Sequence, residues 1–156
     1  MTWLVFALIT VFSWGTYGVL LHTGVMSMAD PVNGRYKAFL FVGVANLVTA
    51  VIGSIIVLMI NGSDWTFPMR GLTWSLLAGI VGAIGAFGVL LAFGAKGTPP
   101  VVMSIVFAGA PMVNAVVSLM LHPPSGGWGS LNWRFVLGIL LAAVGGCLVT
   151  LFKPSS

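Results

Sequence analysis

The chain has 156 residues, 59% of them hydrophobic and only 5% charged, with a mean hydropathy of +1.13. A soluble domain of this size needs far more polar surface to stay dispersed. The net charge of +4 is six Lys and Arg, standing singly or as the Arg35/Lys37 pair, less two Asp. With no basic stripe there is no nucleic-acid footprint, and the charge reads as membrane-topology signal.

Five apolar runs fill the chain: Trp3–Leu21, Tyr36–Ile60, Leu72–Phe93, Val101–Leu121 and Trp133–Phe152. Roughly 20 residues of helix cross a hydrocarbon core of about 30 Å. The charged side chains lie in the connections or at the first residues of a run, as burying one at the bilayer centre requires about 2.5–3.5 kcal/mol even on the lenient scale. Transmembrane strands would alternate with period 2, and these runs are apolar all round. The prediction is an all-α integral membrane protein, a single five-helix transmembrane bundle over residues 1–156.

Met1-Thr2-Trp3 carries no basic n-region, and no small-x-small cleavage site precedes the polar stretch His22–Lys37. The first run therefore reads as a retained span. Trp14 and Tyr17 share a face of this helix, and their N–H and O–H need partners when buried. They are candidates for a cavity wall, with interfacial anchoring as the competing role. Ala29-Asp30-Pro31-Val32-Asn33-Gly34 is a turn cluster before the second helix, and Asn61-Gly62-Ser63-Asp64 ends it.

Asn46 in the second run and Asn114 in the fourth cannot be satisfied by their own helices as small hydroxyls can, so a bond across helices is expected of each. The third run carries Gly79, Gly82, Gly85 and Gly88 at a spacing of three, a small-residue stripe that lets another backbone approach. Lys96-Gly97-Thr98-Pro99-Pro100 predicts a tight turn and an antiparallel hairpin of helices three and four. The fourth run places Asn114 beside a mid-helix Pro111, which frees a backbone carbonyl. Ser13, Thr16, Thr49, Ser54, Ser104 and Ser118 are hydroxyls able to bond back to their own helix. His122–Ser130 is the longest polar connector, and the fifth run adds Gly138, Gly145, Gly146 and the lone Cys147.

An N-terminus outside puts Arg35, Lys37, Lys96 and Lys153 inside, with Arg70 and Arg134 outside. This slight excess favours N-out, C-in and is compatible with insertion in both orientations. The run interiors contain no Asp, Glu, Lys or Arg, hence no coupling carboxylate. His22 and His122 are isolated and make no metal site. No Ser/His/Asp set, P-loop or dinucleotide fingerprint is present, so neither an enzyme nor a cofactor is expected.

The segment from Thr98 to Leu121, with its small-residue start, Pro111 and Asn114, resembles the fourth helix of EamA-type domains of the drug/metabolite transporter superfamily. Gly138-Ile-Leu-Leu-Ala-Ala-Val-Gly145-Gly146-Cys-Leu-Val-Thr is similar to that family's final helix. Phe12-Ser13-Trp14-Gly15 is similar to the Trp-Gly of its first. The five-helix count matches one EamA-like repeat. Most members of the family join two inverted repeats in ten helices, and they commonly place a glutamate where this chain has His122-Pro123-Pro124.

The resemblance implies a small-molecule transporter working as a dimer of five-helix units, with an antiparallel second copy or a homologous half as partner. Helices one, three and four would line a midplane cavity. Trp14 and Tyr17 would form its aromatic walls, Asn114 and Ser104 would supply hydrogen bonds, and Asn46 would give support. With no fixed charge there, the expected substrate is neutral or zwitterionic and movement is facilitative. The expected setting is the bacterial inner membrane. The alternative is a non-transporting structural or assembly subunit of a larger membrane complex.

Overall fold

The computed structural model describes residues 2–152, all of them in helices or connections, with no strand among the described residues. Five helices are long and apolar enough to cross a membrane. The first is α1 (Thr2–Ser27). The second, Gly34–Ile60, is built of α2 (Gly34–Asn46), a π-helical stretch Leu47–Ile52 and α3 (Gly53–Ile60). The others are α4 (Met69–Gly94), α5 (Pro99–Leu121) and α6 (Trp133–Leu151). At 1.5 Å per residue, the shortest spans about 28 Å and the longest about 40 Å.

α1 runs six residues past the predicted end at Leu21. The polar residues that argued for a break are absorbed by the helix: Thr23 Oγ1 donates to the Val19 carbonyl at 2.9 Å and Ser27 Oγ to the Thr23 carbonyl at 2.8 Å. Each hydroxyl uses a carbonyl lone pair left over by the helix ladder, so these residues need not leave it. Thr16, Thr49 and Ser104 bond back in the same way, to the carbonyls of Phe12, Ala45 and Pro100.

The connection after α1 is organised by Asp30. Its Oδ1 accepts the N–H groups of Val32 and Asn33 at 3.0 and 2.9 Å, and its Oδ2 pairs with Lys37 Nζ at 2.6 Å. These bonds, led by the Asn33 N–H, hold the Asp30 carboxyl down to about 2. Gly62, with φ +60°, ends α3: the Ser63 N–H reaches back to the Leu58 carbonyl at 3.1 Å, closing a Schellman-type cap that favours glycine. Pro99 and Pro100 open α5, where their missing N–H groups go unused. Asn132 caps α6 by accepting the Arg134 N–H at 2.9 Å.

The chain divides into two compact units, Met1–Lys96 and Gly97–Ser156. In the first, packing is concentrated where α1 finishes, α2 begins and α4 finishes. Leu21, Ala38, Val89, Leu90 and Phe93 are buried there, Leu90 completely. His22 meets Phe93 edge-on with ring centroids 5.4 Å apart, and Phe87 lies between Tyr36 and Phe39 at 6.3 and 5.5 Å. In the second unit α5 packs on α6 at Gly146, where a Cβ would collide with that of Ala108 and sit 3.3 Å from the Ser104 carbonyl.

Val102 and Met103 near the start of α5 are also buried, and most other large apolar side chains are exposed, as on Phe6, Val81, Met120 and Leu141. The glycine stripe of α4 differs from expectation. Nothing lies within 4 Å of a Cβ built on Gly79, Gly82, Gly85 or Gly88, so no backbone has approached it. Lys153, counted with the inner cations, lies outside the described residues.

Candidate functional site

Each of the five residues singled out from sequence sits on a spanning helix. On α1, the Trp14 and Tyr17 rings contact each other with centroids 5.8 Å apart and planes inclined at 51°. Their spacing of three puts them on one face, so the pair forms a continuous aromatic surface. Trp14 is exposed and Tyr17 half-buried, and the Tyr17 Oη is buried with no hydrogen-bond partner among the described residues.

Asn46 is the last residue of α2, immediately before the π-helical stretch. There the Gly53 N–H bonds to the Val48 carbonyl, five residues back instead of four. Such a widened turn shifts the register of every later side chain, and these turns gather at functional positions. Neither the Asn46 nor the Asn114 side chain makes a hydrogen bond among the described residues, and both residues are exposed. The expected bonds across helices are therefore absent among the described residues, because both amides lie on exposed faces of their helices.

Ser104 and Asn114 share α5 but stand ten residues apart, about 15 Å along the axis. The Ser104 hydroxyl donates to the Pro100 carbonyl at 2.6 Å, which occupies its single proton and leaves only an acceptor for a ligand. Pro111 is accommodated inside α5, between Ser104 and Asn114, and the Phe107 carbonyl loses its helical donor there. The structure thus brings Trp14 and Tyr17 together and does not bring Ser104 to Asn114.

One feature escaped sequence reasoning. Between α5 and α6 lies a groove of about 440 Å³ lined by Ile105, Ala108, Gly109, Met112, Gly146 and Thr150, among others. Its lining is almost wholly apolar, and the Thr150 hydroxyl is occupied by the Gly146 carbonyl at 2.9 Å. The available signal was the matching of two small pairs, Ala108-Gly109 and Gly145-Gly146, on successive helices. Small residues let two backbones close, and the shoulders of such a contact leave a furrow.

The described residues contain no group of three or more His, Cys, Asp or Glu able to hold a metal ion. What the fold defines is an α-helical chain with five helices able to cross a membrane. No family model, no curated protein and no solved structure matches it.

Proposed function

We propose that the chain is a subunit of a small-molecule membrane transporter of the EamA or drug/metabolite type, assembled as a dimer of five-helix units. It moves a neutral or zwitterionic solute by facilitated exchange or uniport. The observation that carries this reading is the pair Asn46 and Asn114. Both are unpartnered amides on helices otherwise written for hydrocarbon, where an unsatisfied polar group is expensive. A polar ligand, or a second unit that encloses one, removes that penalty.

The unoccupied glycine stripe of α4 supports the second unit, because a smooth face suits a partner that rocks against it. The aromatic surface of Trp14 and Tyr17 offers stacking to a solute without fixing its charge. The absence of Asp, Glu, Lys and Arg from the helix interiors favours movement down a gradient, since a charged substrate would lose its hydration without a counter-charge.

The test is counterflow in proteoliposomes loaded with a panel of neutral, zwitterionic and charged solutes. The reading expects exchange of at least one neutral or zwitterionic solute without a proton gradient, and its loss in Asn114→Ala. Proton-driven accumulation that persists in His22→Ala would contradict it. Wild-type protein that forms dimers yet exchanges nothing on the panel would favour the structural-subunit alternative.

A further inference from the structure

Arg35 stands in the first turn of α2, half-buried, and its side chain makes no hydrogen bond among the described residues; its Nε is buried and unpartnered. The guanidinium is nevertheless held in place. Its central carbon is 4.9 Å from the centre of the Tyr36 ring, and it lies so close to Gly94 that a Cβ there would collide with it. The nearest carboxylate along the chain, Asp30, is already committed to Lys37 and to two backbone N–H groups. The final carbonyls of α4 are also engaged, with Leu91 and Ala92 accepting from the Ala95 N–H and Phe93 from the Lys96 N–H.

Lys96 lies two residues beyond Gly94, exposed and without an ion-pair partner among the described residues. Its φ of +67° is a left-handed geometry that a lysine adopts at some conformational expense. The end of unit 1 thus carries Arg35, Lys37 and Lys96 against Asp30 alone. It does so where three helices of membrane-crossing length terminate, and the ends of spanning helices lie at the headgroup level of a bilayer.

We propose that Arg35 and Lys96 form a phosphate-binding site at this end of unit 1, filled in a bilayer by the phosphodiester of an anionic phospholipid. The guanidinium fork suits paired phosphate oxygens, and the ammonium adds a compact second charge. The site does not depend on the transport reading.

The experiment is native mass spectrometry of the full chain in detergent, titrated with phosphatidylglycerol, phosphatidylcholine or inorganic phosphate. Wild type should hold phosphatidylglycerol more tightly than phosphatidylcholine. Arg35→Gln, which keeps a stem against Gly94, should weaken that binding roughly ten-fold, as expected for losing a charge-assisted fork. Arg35→Lys should fall between, and Arg70→Gln, at the start of α4, should bind as wild type. Loss of inorganic phosphate binding in Arg35→Gln, with phosphatidylglycerol unaffected, would keep the phosphate site and make a free anion its source. If Arg35→Gln loses helical circular dichroism, exposed Lys96→Gln carries the same comparison. Equal weakening by Arg70→Gln, or no preference for the anionic lipid and no phosphate binding, would overturn the proposal.

Discussion

At the closed end of unit 1 the helices meet through large side chains, whereas α5 and α6 of unit 2 meet through the absence of one. Leu21, Leu90 and Phe93 fill the first contact, with His22, Tyr36, Phe39 and Phe87 around it. Gly146 against Ala108 makes the second. In lipid, burial brings little hydrophobic gain, because the alternative environment is as apolar as the contact. Both contacts therefore rest on van der Waals fit, one by filling space and the other by letting backbones close. The difference predicts opposite responses to changes of side-chain size.

The largest effect belongs to Leu90→Ala. Core truncations of this kind cost about 2–5 kcal/mol in water, and the lower end applies here because the transfer contribution is lost in lipid. Thermal unfolding in detergent micelles should show it as a clear fall in midpoint. Gly146→Val should cost about 1–3 kcal/mol, the range for forcing extra methyl groups into a packed contact, and should open α5 from α6. A tolerated Gly146→Val would remove the basis for the contrast between the two units.

A smaller gain is expected of Ala29→Gly. Ala29 has φ +50°, and relieving a left-handed alanine is worth about 1 kcal/mol, read as a raised midpoint. Gly85→Ala sharpens the comparison further. With nothing within 4 Å, it should leave the isolated chain unchanged or stabilise it by up to about 1 kcal/mol from helix propensity. If it instead disrupts a crosslinkable dimer, the stripe is a contact between copies.

The smallest effect concerns pH. Asp30 is held at about 2, below its ordinary 3.8, so its contribution to the turn is complete above pH 3.8 and is lost as pH falls through about 2. Protection of the Val32 and Asn33 amides against hydrogen exchange, relative to their intrinsic rates at each pH, should fall across that window, and Asp30→Asn should remove that change in protection.

The spans were legible in the sequence because twenty apolar residues leave no other structure in lipid, and four of the five helices begin or end within three residues of the predicted bounds at both ends. α1 was read short because Thr23 and Ser27 look like a break until their hydroxyls find the helix carbonyls. Which residues pack was not legible. Leu90 is buried and Leu91 exposed, yet both faces of α4 are apolar, so no amphipathic pattern separates them. The π-helical turn at Leu47–Ile52 has no sequence mark either, since its residues are ordinary helix-compatible Leu, Val, Thr, Ala and Ile. Trp14 and Tyr17 could be paired from their spacing alone. The surroundings of Asn46 and Asn114 could not, because they depend on where helices meet.

The central claim is that two five-helix units combine in the membrane to enclose the polar residues that one unit leaves unpartnered. It is tested most directly by single-cysteine labelling at Ser63 and Ser125, in the connections after α3 and α5, in a Cys147→Ala background with crosslinking. The antiparallel dimer predicts labelling of each site from both sides of the membrane together with a crosslinked pair. Labelling from one side only, with no dimer, would contradict it.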